Sequence, residues 1–160
     1  MRGIKLFIGG VAVGLIVQLA IAQSENRGIV QLNHVGVSVP DLDAAVAYYT
    51  QTLGFPEAFR VTTDSGQVAL VYVQVSRDTF VELQPANDQR PPGISHFGIV
   101  VEDMEAATDM FSQRGANVAE IRNSSTHAIL SNVFDLNGVR MELAELPPES
   151  LHYQAMEAWD

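Results

Sequence analysis

The 160-residue chain has no cysteine. Disulfides, thiolate metal sites and cysteine nucleophiles are therefore excluded. Positive charge is scarce, with nine Lys and Arg against nineteen Asp and Glu, for a net charge of -10. Nucleic acids and anionic membrane surfaces select for the opposite sign, so neither is expected as a partner. The acidic residues are scattered rather than gathered into a tail, as on a solvated surface. No basic cluster stands out that would hold an acidic group. Outside a proline-rich linker the candidates are Arg60, Arg122 and Arg140. The one long apolar run is Leu6 to Leu19, about 14 residues, which is short for a membrane span. Arg2 and Lys5 precede it and Ala20-Ile21-Ala22 follows it. This is the pattern of a secretory signal peptide over residues 1–22, cleaved after Ala22, and it predicts a periplasmic or secreted protein. Such a protein meets an oxidising compartment with no thiol to lose there. The chain as a whole is 47% apolar and 18% charged, ordinary globular material and long enough to bury a core without staples.

That material is written twice. "LNHVGVSVPDLDAAV" (Leu32 to Val46) recurs as "ISHFGIVVEDMEAAT" (Ile94 to Thr108). His34 aligns with His96, Gly36 with Gly98, Val39 with Val101, Asp41 with Asp103, and Ala44-Ala45 with Ala106-Ala107. A period near 60 residues signals two copies of one supersecondary unit. Each copy opens with a strand, Leu32 to Val39 and Ile94 to Val101, in which the histidine and the following glycine share one face and apolar residues take the other. A helix follows in each, with Asp41 and Asp103 as N-caps and Gly54 and Gly115 as left-handed C-caps. The apolar stripe of the first helix is Leu42, Val46, Tyr49 and Leu53. Two hairpins complete the units: Gln67 to Val75 with Thr79 to Pro85, and His127 to Asp135 with Val139 to Glu145 across Leu136-Asn137-Gly138. The expected fold is α+β, two βαβββ modules in tandem forming a curved mixed sheet around a cavity. The modules span 29–85 and 94–146, joined by a linker at 86–93 too rich in Pro, Asn and Gly for regular structure. Residues 147–160 restart after two prolines as an amphipathic helix with Leu151, Ala155, Met156 and Trp159 on one side.

Each copy ends its last strand with a glutamate in apolar company, Glu82 in "FVEL" and Glu142 in "RMEL". Histidine on the first strand and glutamate on the last thus recur in equivalent places, and a pseudo-twofold pairing of the copies would gather His34, Glu82, His96 and Glu142. Two imidazoles and two carboxylates suit one borderline divalent ion, namely Zn, Ni, Co, Fe or Mn. Singly, such residues are more often structural; it is their duplication at one spacing that points to a site.

These stretches resemble the vicinal oxygen chelate superfamily, which holds glyoxalase I, methylmalonyl-CoA epimerase, extradiol dioxygenases and the bleomycin and fosfomycin resistance proteins. "LNHVGVSVPDLDAAVAYYTQTLGF" resembles its opening strand and helix, "ISHFGIVVEDMEAA" its second opening, and "DLNGVRMEL" its final hairpin. The resemblance covers roughly Ile29 to Leu146. It implies metal ligands at His34, Glu82, His96 and Glu142, and with a carboxylate at position 82 it is most similar to the glyoxalase I arrangement; the epimerase branch has glutamine there. It implies a proton removed next to a carbonyl, with Glu142 the base and Glu82 its counterpart. Tyr72, Gln74, Asn132 and Arg140 are candidate substrate contacts. His127 could line the same cavity, and His152 is expected at the surface. The substrate is a small molecule with vicinal oxygens, and a homodimer is expected, with module pairing within or between chains left open.

Two alternatives stand beside this lyase or isomerase. One is a non-haem Fe(II) dioxygenase using His34, His96 and Glu142, with Glu82 a bystander. The other is a non-catalytic small-molecule-binding protein. Export itself sits poorly with glutathione or coenzyme A, which are chiefly cytosolic.

Overall fold

The computed structural model describes residues 28–159. The signal segment read at 1–22 lies outside them. Among the described residues no helix is long and apolar enough to cross a membrane.

The first half comprises β1 (Ile29–Val39), α1 (Leu42–Ala47), β2 (Glu57–Thr62), β3 (Val68–Ser76) and β4 (Thr79–Pro85). The second comprises β5 (Gly93–Val101), α2 (Met104–Gln113), the short β6 (Asn117–Val118) and β7 (Arg122–Asn123), β8 (Ile129–Phe134) and β9 (Arg140–Glu145), followed by α3 (Leu151–Glu157). All strands join one mixed sheet ordered β2-β3-β4-β1-β5-β9-β8-β6, with β7 also on β8. β1 pairs parallel with β4, and β5 parallel with β9. β1 and β5 pair antiparallel at the centre, so the two halves meet within one chain.

Strand alternation gives the sheet a helix-covered apolar face and a polar face. Val37 and Val39 pack with Val71, Val73 and Leu83 beneath Leu42, Val46 and Tyr49 of the first helix. In the second half Ile99 and Val101 pack with Met104, Ala107, Val133 and Leu143. Each fully buried Val or Leu contributes roughly 1.5–3 kcal/mol, enough to fix which face of β1 and β5 turns inward. His34, Gly36 and Ser38 then necessarily occupy the opposite face, where they are also buried.

The aspartate caps form as the sequence predicts: Asp41 accepts from the Ala44 amide at 3.0 Å and Asp103 from the Ala106 amide at 2.9 Å. Such caps are worth about 1 kcal/mol each. Gly54 and Gly115 carry φ of +77° and +84° at the helix exits, a conformation that suits glycine. The first helix differs from the expected continuous one. After Ala47 it widens into a π-helical stretch, Tyr48–Thr52. Thr50 Oγ1 donates to the Val46 carbonyl at 2.8 Å, taking an acceptor that the regular helix ladder would use. The second half also departs from strict repetition, since the counterpart of β2 is broken into two short pieces, both resting on β8.

Candidate metal centre

Strand register assembles the site in two rungs across the polar face. Glu82 on β4 lies opposite Gly36 on β1, which lies opposite His96 on β5, which lies opposite Arg140 on β9. Tyr72 on β3 extends this rung beside Glu82. In the second rung His34 lies opposite Gly98, Gly98 opposite Glu142, and Glu142 opposite Asn132 on β8. Residues facing each other on neighbouring strands put their side chains on the same face. The glycine of each half therefore leaves room for the histidine of the other. A β-carbon at Gly98 would stand 2.6 Å from His34 Nε2 and closer still to Cε1 and Nδ1; one at Gly36 would crowd His96 in the same way. The repeated His-x-Gly is thus one device used twice.

His34, Glu82, His96 and Glu142 are all buried, and one ligand atom from each lies within 4.8 Å of the others. The two Nε2 atoms are 3.1 Å apart. Glu82 Oε2 is 3.1 Å from His96 Nε2 and 3.8 Å from His34 Nε2, and Glu142 Oε1 is 3.5 Å from His34 Nε2.

The outer hydrogen bonds decide what these atoms offer. Asn33 donates its amide to the Asp78 carbonyl at 3.1 Å, which turns its oxygen to His34 Nδ1, also at 3.1 Å. An oxygen there calls for a proton on Nδ1 and leaves the Nε2 lone pair facing inward. Ser95 Oγ accepts from Gln84 Nε2 at 2.9 Å and donates its one proton to the Gly36 carbonyl at 3.1 Å. It is left as an acceptor for His96 Nδ1, 2.9 Å away. Both imidazoles then present bare Nε2 atoms to one point that two carboxylates also face. Such a convergence of ligand atoms can hold a cation, and atoms held about 2.0–2.2 Å from one ion lie roughly 3.0–3.5 Å apart. The donor set fits a divalent ion, whose charge two carboxylates balance.

One contact competes. Arg140 Nη2 lies 2.7 Å from His96 Nδ1. A guanidinium only donates, so this contact needs a bare Nδ1 and is incompatible with the Ser95 arrangement.

Burial alone would raise the Glu82 and Glu142 carboxyl pKa values. When the facing histidines carry a proton on Nε2, their hydrogen bonds and charge outweigh it, and both lie below the ordinary glutamate value. Tyr72 donates to Glu82 Oε2 at 3.0 Å. Burial first, then the charges of Glu82 and Glu142, pushes its phenol well upward, so it remains a donor.

A cavity of about 190 Å³ opens on this cluster and is lined by His34, Tyr72, Glu82, Arg140 and Glu142. Of the candidate substrate contacts, Tyr72 and Arg140 lie here. Gln74 does not: its amide donates to the Arg77 carbonyl at 2.9 Å and the Ala155 carbonyl at 3.3 Å, which ties β3 to the tail helix. Asn132 shares the rung of Glu142 but is not among the cavity-lining residues. His127 is exposed in a turn with φ of +61°. His152 is not at the surface, contrary to the expectation. It is 2% exposed and lines the cavity, boxed by Phe59, Tyr72 and Phe80 with ring centroids 4.9, 4.5 and 5.7 Å away. Its place was readable in the spacing of His152, Ala155, Met156 and Trp159, which is a helical stripe that Leu151 does not begin. Arg90, from the linker, and Arg122 complete the cavity mouth.

A single-layer curved sheet built from two βαβββ halves, with a buried His/Glu quartet where they meet, defines the class to which the sequence profile also assigns the chain. That profile, the Glyoxalase/Bleomycin resistance protein/Dioxygenase superfamily, matches residues 31–143, and the chain belongs to this superfamily. The ethylmalonyl-CoA/methylmalonyl-CoA epimerase of Cereibacter sphaeroides is 29% identical over 131 residues, covering 72% of this chain and 98% of that protein. The human mitochondrial methylmalonyl-CoA epimerase is 27% identical over 129 residues, covering 72% of this chain and 73% of that protein. Among solved structures, the methylmalonyl-CoA epimerase of Mycobacterium tuberculosis superposes with a TM-score of 0.68 at 24% identity, over 78% of this chain and 93% of that one.

Proposed function

We propose that this protein is a metal-dependent isomerase that moves a proton on the carbon next to a carbonyl of a small oxygenated substrate. The observation that carries the reading is the pair of buried glutamates, Glu82 and Glu142, placed by pseudo-symmetric strands around two histidines whose lone pairs converge with theirs. Relatives named as epimerases support the same chemistry. A divalent ion held by His34, Glu82, His96 and Glu142 would supply Lewis acidity to the substrate oxygens.

The chain's own groups divide the remaining work. Glu142 is the base. Its Oε2 is held only by two guanidinium groups at the cavity mouth, Arg122 at 3.3 Å and Arg140 at 3.5 Å, which an incoming anion can draw away. Glu82 is pinned by the buried Tyr72 hydroxyl, and it is the counterpart that can receive or return a proton on the other side. Leu70, Leu130 and Ala144 line the same cavity and exclude water from the reacting carbon. Glu82 stands inside the cluster, which favours the four-residue set over a three-residue dioxygenase site. We further propose that the protein acts outside the cytoplasm; the signal pattern of residues 1–22 supports this.

Proton NMR in deuterium oxide tests the reading. Methylmalonyl-CoA and the glutathione hemithioacetal of methylglyoxal are the two probes, each with and without chelator. Chelator-sensitive deuterium uptake by one of them is expected. No exchange in either, with metal content confirmed in the same sample, would overturn it.

A further inference from the structure

The superfamily profile ends at residue 143, and α3 lies beyond it. This helix is anchored to both halves of the sheet without help from its histidine. The Leu151 amide donates to the Thr126 carbonyl at 2.9 Å, and the Ala155 carbonyl accepts from Gln74 Nε2 at 3.3 Å. Ser150, fully buried, caps the helix by accepting from the Tyr153 amide at 3.2 Å. Arg77 pairs with Glu157 at the other end. These contacts set His152 against the cavity beside the quartet, with its ring centroid 6.1 Å from that of His34.

Packing does not account for a histidine at this place. Its Nδ1 and Nε2 are both buried, and neither has a hydrogen-bond partner among the described residues. Phe59, Tyr72 and Phe80 offer it only their rings, since the Tyr72 hydroxyl donates to Glu82. A buried polar atom left unpaired costs its full desolvation, and here there are two. Leucine would fill the same aromatic box without that cost. Metal ligation does not account for it either, because His152 is not one of the four residues whose ligand atoms converge. Burial among the rings holds the imidazole neutral. A neutral imidazole has one N–H donor and one bare acceptor. Without a positive charge it is matched to an uncharged oxygen: a carbonyl accepts from the N–H, and a hydroxyl can serve either nitrogen.

We infer that His152 is a substrate-binding residue, whose imidazole hydrogen-bonds an uncharged carbonyl or hydroxyl oxygen of the guest on the side of the cavity supplied by the C-terminal helix. This rests on the proton-transfer reading of the same site. It makes α3 part of the site rather than a covering of the sheet. Selection among substrates is then set in part from outside the stretch that the superfamily profile matches. The guest also pairs polar atoms that the protein alone leaves unpaired, so binding and stability respond to His152 in opposite directions.

Titration calorimetry and deuterium-exchange kinetics of the full chain test this, with methylmalonyl-CoA and the hemithioacetal as probes and metal content measured in every sample. His152→Leu is expected to melt no lower than the wild type and to hold the same metal. For the probe that the wild type accepts, it should lose at least about tenfold in affinity and in kcat/KM, chiefly through KM, because a guest oxygen is left without its partner. His152→Gln keeps a donor and an acceptor and should recover part of the loss. Wild-type affinity in His152→Leu overturns the assignment. So does a loss that follows the melting temperature across the two variants with no recovery in His152→Gln, which is the behaviour of a merely structural side chain. The two readings fail separately: probe binding that depends on His152 without any exchange sinks the proton-transfer reading alone, and exchange indifferent to His152 sinks this assignment alone. A metal-replete wild type that binds neither probe sinks both.

Discussion

Replacing Gly98 with alanine should disable the metal centre while leaving the sheet intact. Gly98 sits in a regular strand outside the left-handed region, so alanine is compatible with its backbone. The obstacle is purely lateral. The new β-carbon would lie 2.6 Å from His34 Nε2 and nearer to two other ring atoms, whereas non-bonded carbon contacts settle near 3.5–4.0 Å. The imidazole must move by at least about 1 Å. It has little room, being 1% exposed and in edge contact with the rings of Tyr72 and His96. Any swing also breaks its bond to Asn33. Overpacking of this kind costs about 1–3 kcal/mol of stability, which a domain of this size survives. Metal geometry is far less tolerant, since ligand distances hold to within about 0.2 Å. Loss of outer-shell partners alone costs roughly 10–100-fold in affinity, so displacement of a ligand should cost at least that. Calorimetric titration with Zn²⁺ or Ni²⁺ measures the loss, and a thermal melt measures the stability. Gly36→Ala should behave alike through His96. A Gly98→Ala protein that binds metal as tightly as wild type refutes the reasoning. So does a Gly98→Ala/His34→Ala double variant much weaker in metal than His34→Ala alone, because the glycine is argued to act only through that ring.

Glu142→Gln should retain most of its metal while turnover on a confirmed substrate falls by roughly two to four orders of magnitude. Glu82→Gln should lower turnover less, and the opposite ranking in steady-state kinetics would reverse the assignment of the base. His152 is buried neutral: desolvation lowers its pKa from 6.5 to about 3. The unfolded chain binds that proton first on acidification, so stability should fall from about pH 6.5 toward 3 at up to about 1.4 kcal/mol per pH unit. His152→Phe should flatten that part of a urea-melt pH series, and an unchanged slope would count against the burial argument. Mass spectrometry of protein recovered from cells should find Gln23 at the N-terminus; an intact Met1 in the soluble cytosolic fraction would contradict export.

The duplicated His-x-Gly, the caps and the hairpins were legible because each is a local pattern of a few residues. The clustering of His34, Glu82, His96 and Glu142 was legible only through the repetition, which stands in for a long-range constraint. That each glycine serves the histidine of the other half depends on the β1–β5 register, and no local signal carries that register. Arg90 lies in a linker of Pro, Asn and Gly, and that composition describes the backbone there and not where a long side chain reaches. By polarity alone His152 reads as a surface residue, and its place on the helical stripe is the signal that buries it. The π-helical turn at Tyr48–Thr52, where Thr50 bonds the Val46 carbonyl, is a local departure that periodicity does not register.

The two rungs carry a kinetic consequence. One crosses β4, β1, β5 and β9 and the other β1, β5, β9 and β8, and neither half alone contains more than one histidine and one glutamate of the quartet. The ion can be captured only after the central β1–β5 pairing closes across residues far apart in the chain. Closure of that long loop is paid before the ion can reward it. The metal should therefore act as a late lock rather than a nucleus. An ion at 100 times its dissociation constant adds about 2.7 kcal/mol, all of it to the native state. In a denaturant chevron the refolding arms of loaded and chelated protein should coincide while the unfolding arm of the loaded protein drops by roughly two orders of magnitude. Persistence of the folded state would then be set by the local metal supply.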